Sequence, residues 1–332
     1  MTKSAPFRFV VPFTCPIELG EEVIRMWRRE PDETPEESLV DWFEEPSPAD
    51  SRVMVVGLTG FLDAGGAVKI AVDHILENTT HRVLAAIDID LLYDYRARRP
   101  RISYMSDHFE DIELPELQII ECTDSRGTNF LLLQGVEPDT GWMTVVDTLI
   151  EVVQDLNISL VVSMQAVPFP APHTRPVAIT AHATEPELIA GRVPWVGNME
   201  VPASLSGYLE LQLGREGHKA MGYVAHVPQY LATMPHPRSA LTLIGEVCGI
   251  TGLDISTDQL REFADKADAE LNEQISQSEE NHAVVQGLEE SFDQLVAQRG
   301  GLDSTSAPTG DEIAAQVEKF LAEMDARGRE SD

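Results

Sequence analysis

Between residues 52 and 250, short β-branched runs alternate with stretches whose apolar residues recur every three or four positions. That alternation is the pattern of an α/β sheet covered by helices on both faces. Arg52 to Thr59 reads as a buried strand, followed by a Gly-rich turn and a helix with Ala67, Ile70, Ala71, His74 and Ile75 on one face. Further strands are expected at Val83 to Ile89, Leu117 to Cys122, Phe130 to Leu133, Ile158 to Met164, Val177 to Ala181 and Ala220 to His226. Helices are expected at Trp142 to Leu156, Ser204 to Leu213 and Arg238 to Cys248; the first shows the 3.6 period through Val145, Val146, Leu149, Val153 and Leu156.

The pattern changes at both ends. Residues 21 to 50 are acidic and interrupted by proline, with Trp27, Trp42 and Phe43 as isolated anchors, and read as a surface arm. Beyond residue 255 a seam of Leu260, Ala264, Ala267, Leu271, Val285, Leu288, Phe292 and Leu295 predicts helices. Polar Gln274, Ser278 and Asn281 interrupt the seam, which favours a helical hairpin. Gly300 to Gly310 reads as a linker, after which Ile313, Val317, Phe320 and Met324 resume the stripe. The expected organisation is an acidic arm over 1–50, a core domain over 51–255 and an acidic helical extension over 256–332. The extension's apolar face needs cover, from its own core or from another subunit.

Charge narrows the partners. Acidic residues outnumber basic ones 56 to 24, a formal charge of −32, which repels a polyanion and argues against nucleic acid. Residues 251–332 alone carry 20 acidic and 6 basic side chains, read first as a solubilising tail. No apolar run reaches the roughly 18 residues of a membrane span and no secretory signal is visible, so the expected location is the cytoplasm, with no membrane partner. Cys15, Cys122 and Cys248 are few and far apart, which suits reduced core thiols.

Candidate chemistry concentrates after strands. Pro172-His173-Thr174-Arg175-Pro176 follows an apolar strand, and with Pro168 and Pro170 its prolines dictate a stiff extended connection able to hold an imidazole and a guanidinium still. The turn Gly57 to Gly66 offers backbone N–H groups at a helix start, through Gly60, Asp63 and Gly65. It meets neither the dinucleotide nor the P-loop spacing, and Asp63 acting as a cap with close glycine packing is the simpler reading. Asp88, Asp90 and Asp94 stand beside Arg96, Arg98 and Arg99; interleaved cations argue against a metal there, and local pairing of the arginines is favoured over anion binding. The histidines are too dispersed for a zinc site, so neither a metal nor a cofactor is expected. Ser125-Arg126-Gly127 after a strand has the look of a nucleophile turn but lacks a base beside it, and Glu137-Pro138 before Trp142 reads as a helix start.

In order along the chain, Phe61-Leu62-Asp63-Ala64-Gly65, the Asp88 to Asp94 run into Arg99-Pro100, Gly135-x-Glu137-Pro138 with Trp142, and Pro172-His173-Thr174-Arg175-Pro176 resemble the proteasome assembly chaperone family, second-chaperone type, in its bacterial branch. Tyr230-Leu231 to Pro237, Ala240-Leu241 and Thr251-Gly252-Leu253 extend the likeness, which spans roughly residues 50 to 255. The resemblance implies a three-layer α/β/α sandwich similar to purine nucleoside phosphorylases and peptidyl hydrolases, self-association, and in eukaryotic relatives a role in building proteasome rings. It supplies no catalytic residues. Some eukaryotic factors end in a hydrophobic-Tyr-any tripeptide, whereas this chain ends Glu330-Ser331-Asp332, which argues against docking by the tail.

The expectation is a homo-oligomeric protein-binding module, a trimer as the first arrangement, with another protein as a further candidate partner. Its ligand or interface residues would be Gly60, Asp63, Gly65, Arg98, Arg99, His173 and Arg175. The rival is a phosphorylase- or hydrolase-type enzyme or small anionic-ligand binder in which the glycine turn holds an anion, an arginine clamps it and His173 acts as acid or base.

Overall fold

A computed structural model describes residues 39–49, 52–193 and 197–299. Cys15, Trp27, the expected linker at Gly300 to Gly310 and the stripe from Ile313 to Met324 lie outside the described residues.

Among the described residues there are ten strands: β1 (Val40–Trp42), β2 (Arg52–Thr59), β3 (Thr80–Ile87), β4 (Ile102–Met105), β5 (His108–Ile112), β6 (Leu117–Thr123), β7 (Asn129–Val136), β8 (Ile158–Phe169), β9 (Ile179–Ala183) and β10 (Ala220–Pro228). Eight of them form one sheet in the order β1-β3-β6-β7-β2-β8-β10-β9. β2 runs parallel to β7 and β8, and β8 to β10; the other neighbours are antiparallel. The described helices are α1 (Ala67–Glu77), α2 (Trp142–Asp155), α3 (Leu205–Arg215), α4 (Pro237–Thr251), α5 (Asp258–Ser276) and α6 (Glu279–Arg299).

The central strands are β-branched and aliphatic because both faces are covered, so β2 reads RVMVVGLT with hardly an exposed position. Alternate residues then divide between two cores. Val55, Val162, Met164, Met221 and Tyr223 pack with Ala67, Ala71, Ile75, Leu243 and Val247 of α1 and α4. Met54, Val56, Leu131, Leu133 and Val161 pack with Val145, Leu149, Leu205 and Leu209 of α2 and α3. This is the expected three-layer α/β/α arrangement. Gly57 lets α1 lie close, since a Cβ there would stand 2.3 Å from Val72 Cγ2.

Three expectations change. Val40–Trp42, read as part of a surface arm, pairs with Ala85–Ile87 as the sheet's edge strand and buries Val40, because one apolar residue suffices to anchor so short an edge. Strand β8 runs to Phe169, past the expected end at Met164: Pro168 fits within it opposite Val227 of β10, and the stiff connection starts later. Ser125-Arg126-Gly127 is the turn of the β6–β7 hairpin. Asp124 Oδ1 accepts from Arg126 N and Thr128 N there, and Ser125 Oγ donates to Asp254, so the hydroxyl is spent on structure.

The described part of the acidic tail, through residue 299, packs on the core of its own chain. Leu260 and Ala264 of α5 join the α1–α4 layer, while Phe292 of α6 packs on Phe169, Ala171 and Ala178. The break falls at Gln277–Ser278, between Gln274 and Asn281 as the polar interruption requires. Ser278 Oγ accepts from Asn281 N to start α6.

Candidate interaction site at one end of the sheet

Parallel strands deliver their following loops to the same end, and the antiparallel step through β6 makes β3 point the same way as β7. The loops after β2, β3, β7, β8 and β10 therefore share one end of the sheet. Gly60, Asp63, Gly65, Arg98, Arg99, His173 and Arg175 all lie on them. At the level of hydrogen bonds and ion pairs these residues separate into two groups.

The first group is organised by Glu137, which follows β7 directly. Its Oε1 accepts from Leu205 N at the start of α3 (2.7 Å) and its Oε2 from Phe61 N (3.4 Å); its own N–H donates to Thr59 O and its carbonyl accepts from Arg98 Nη2, both at 2.8 Å. One residue thus ties the ends of β2 and β7 to the β3 loop and to α3. Gly60 presses on it, a Cβ there falling 3.2 Å from Glu137 Cβ. Arg98 also pairs with Asp139 (2.7 Å) and lies over the Tyr93 ring at 4.5 Å. Burial would raise the Asp139 carboxyl, but hydrogen bonds from Arg98 and Asp94 N outweigh it and hold the group below the ordinary carboxylate range. Asp94 Oδ1 turns the chain by accepting from Arg96 N, and Asp88 accepts from Asp90 N. These carboxylates are occupied by backbone N–H groups and Arg98. Among the described residues no three His, Cys, Asp or Glu side chains are placed to hold a metal.

Asp63 stands deeper. Its Oδ1 accepts from Val68 N in the first turn of α1 (2.7 Å), and burial pushes the carboxyl up to about 6 against the effect of that bond. Gly65, at φ 65°, exchanges hydrogen bonds with Ala232 O and His236 N, and a Cβ there would meet His236 Cβ at 2.8 Å. His236 bonds Ser239 Oγ through Nδ1 (2.8 Å), and burial pushes it down to about 4. The glycine turn is packed against β10's loop and capped by its own aspartate.

The second group lies under the tail. His173 is 8% exposed; Tyr230 O–H accepts from its backbone N–H (2.9 Å) and donates to Nδ1 (2.6 Å), which makes Nε2 the protonated nitrogen, donating to Asn272 Oδ1 at 3.1 Å. Burial pushes the Tyr230 phenol up to about 12. Arg175 forks onto Asp293 of α6 through Nε and Nη2 (2.9 and 2.7 Å) and reaches Glu289 through Nη1 (3.1 Å), while Thr174 also donates to Glu289. Arg238 at the start of α4 pairs with Asp265 and Asp268 of α5. Some of the tail's acids thus have cationic partners on the core. Arg99 is exposed, and no carboxylate pairs with it among the described residues. No hydrogen bond or ion pair joins the two groups among the described residues. Glu137, Asp139, Tyr230 and Asn272 were not anticipated. Glu137 stands in the Gly135-x-Glu137-Pro138 motif of the family likeness, but its Glu-Pro step reads in sequence as a helix start and not as a tie between strand ends.

What remains open at this end is Arg96 and Arg99 together with apolar side chains and carboxylates. Phe61, Leu91 and Met143 are 60%, 58% and 71% exposed. A surface hollow of about 260 Å³ is lined by Asp139, Thr140, Gly141, Trp142, Met143 and Thr144 at the start of α2. No described helix is long and apolar enough to cross a membrane.

The comparisons agree with this architecture. No curated protein matches the chain. Among solved structures, a Mycobacterium tuberculosis protein of unknown function, Rv2714, is 34% identical with a TM-score of 0.76, over 81% of this chain and 95% of that one. A Corynebacterium glutamicum protein of unknown function is 30% identical with a TM-score of 0.74, over 78% and 98%. The M. tuberculosis proteasome-assembly chaperone homologue Rv2125 is 27% identical with a TM-score of 0.65, over 70% and 99%. A family model described as PAC2 family matches residues 57–275, and with that span and these likenesses the chain belongs to the PAC2 family.

Proposed function

We propose that this chain is a homo-oligomeric, cytoplasmic protein-binding module with an assembly-chaperone-like role. It would act on other copies of itself and on further protein partners, proteasome subunits foremost. Membership of a family that includes a proteasome-assembly chaperone homologue carries the reading. The chemistry at the sheet end supports it. Arg98 and Arg175 are each paired with carboxylates of the same chain, leaving Arg99 alone of the three arginines open, while His173 is enclosed by Tyr230 and Asn272, and the glycine turn is capped by Asp63. An anion-binding enzyme would need those cations open and converging on one cleft. Exposed Phe61, Leu91 and Met143 are instead what a protein surface offers to another protein.

The test is to mix the full chain with unassembled α- and β-type proteasome subunits from the same cell, then follow complex formation by native mass spectrometry. A stoichiometric complex with free subunits, absent with finished rings, is expected. Absence of any complex at tens of micromolar would remove the assembly role.

A further inference from the structure

Strands β4 and β5 form a two-stranded sheet of their own, and every residue in them is exposed. The pairing Ile102↔Ile112 and Tyr104↔Phe109, with the register shift between them, puts four large apolar side chains on one face. Tyr104 and Phe109 pack edge to face at 5.3 Å and are still 60% and 64% exposed. An isolated hairpin with a bare apolar face is marginal in water, so this face calls for cover. Its root carries Arg96, Arg99 and Arg101. All three are exposed and unpaired among the described residues, whereas Arg82, Arg98, Arg126, Arg175, Arg192 and Arg238 are each matched to a carboxylate.

The complement is an apolar surface with an acidic rim, and a second copy of this chain supplies one. The hollow at the start of α2 presents Met143, with Leu91 beside it through the bond from Thr140 Oγ1 to Leu91 O. Its rim carries Asp94 and Asp90, exposed carboxylates whose own bonds are to neutral donors, Arg96 N and the Tyr95 hydroxyl, and Asp139, which accepts from Asp94 N and is already paired with Arg98 within the copy. Hairpin and hollow are both exposed within one copy, so they do not cover each other there. Two unlike, complementary surfaces on one chain make a head-to-tail contact, which closes into a ring when the rotation allows.

We propose that the β4–β5 hairpin is an assembly arm whose Ile102, Tyr104, Phe109 and Ile112 face seats on the Leu91–Met143 hollow of the next copy, with Arg96, Arg99 and Arg101 against its carboxylate rim. This rests on the self-association proposed above and names its surface.

The test measures the mass of the full chain by light scattering at tens of micromolar. The wild-type protein is expected well above the 36.6 kDa of one chain. Y104D/F109D and M143R should each fall to one chain with unchanged circular dichroism, since all three side chains are already in water. R99E/R101E should weaken association about tenfold or more. Mixing Y104D/F109D with M143R leaves one intact arm and one intact hollow, and should restore a two-chain species. If the variants keep the wild-type mass, or the mixture stays monomeric, the arm-and-hollow contact is wrong while self-association stands. A monomeric wild-type protein would overturn self-association and this contact together.

Discussion

Two groups, half-buried Asp63 and buried His236, set opposite responses to pH. Asp63 has its carboxyl pushed up to about 6, so the fold favours its neutral form; that contribution is complete below the ordinary value of 3.8 and is lost as pH rises through 6. Asp63→Asn keeps an acceptor for Val68 N and removes the charge. Denaturant titrations should find it more stable than wild type by about 1–2 kcal/mol at pH 7.5, with the difference vanishing near pH 4. His236, pushed down to about 4, behaves in reverse: its contribution is present above 6.5 and is lost as pH falls through 4. His236→Gln should therefore flatten the loss of stability between pH 6.5 and 4. At Gly65, alanine must adopt φ 65° and displace His236; Gly65→Ala should cost about 2–4 kcal/mol by the same titration.

Among the elements, the tail is held on the core by discrete polar clasps as well as by apolar packing. Arg175 and its partners Glu289 and Asp293 fix α6 beside the prolyl loop. Arg175→Glu places like charges together, and hydrogen exchange should accelerate across 279–299 while β2 and β8 stay protected. The pattern explains which elements could be read in advance. Arg52–Thr59 is legible as a short, nearly unbroken apolar run, and the Trp142 helix because it keeps the 3.6 period over its whole length. The hairpin at 102–112 is not: the register shift opposite Ser103 puts Glu110 and Asp111 between two apolar residues of one face and breaks the alternation. Pairing was equally hidden, because the antiparallel half of the sheet depends on which strands meet, and no single strand states its neighbour. The sequence located the loops carrying Arg98 and Arg175. It could not reveal that the partner of one lies 118 positions downstream, since such a pair is set by tertiary packing alone.

On the scale of the whole molecule, a formal charge of −32 makes the folded state repel itself. Added salt should raise the melting temperature of the Y104D/F109D monomer between about 0.02 and 0.3 M, where the Debye length shrinks from roughly 20 to 6 Å. In the wild-type protein the same salt should weaken association where the local attraction of the arginine root to an acidic rim outweighs the repulsion between two copies of like charge. Opposite responses to one variable, followed by calorimetry and light scattering, separate folding from assembly. A melting temperature that falls with salt would show that pairs such as Arg238 with Asp265 and Asp268 dominate over net repulsion.

The clasp of Arg175 by Asp293 also has a timing. Synthesis adds about 5–20 residues per second, so the 118 positions between them correspond to about 6–24 s during which the loop has left the ribosome and its cover has not. For that interval the nascent chain carries an unneutralised guanidinium; the imidazole beside it waits only for Tyr230 and Asn272, and completion of the last described helix is what closes off the arginine.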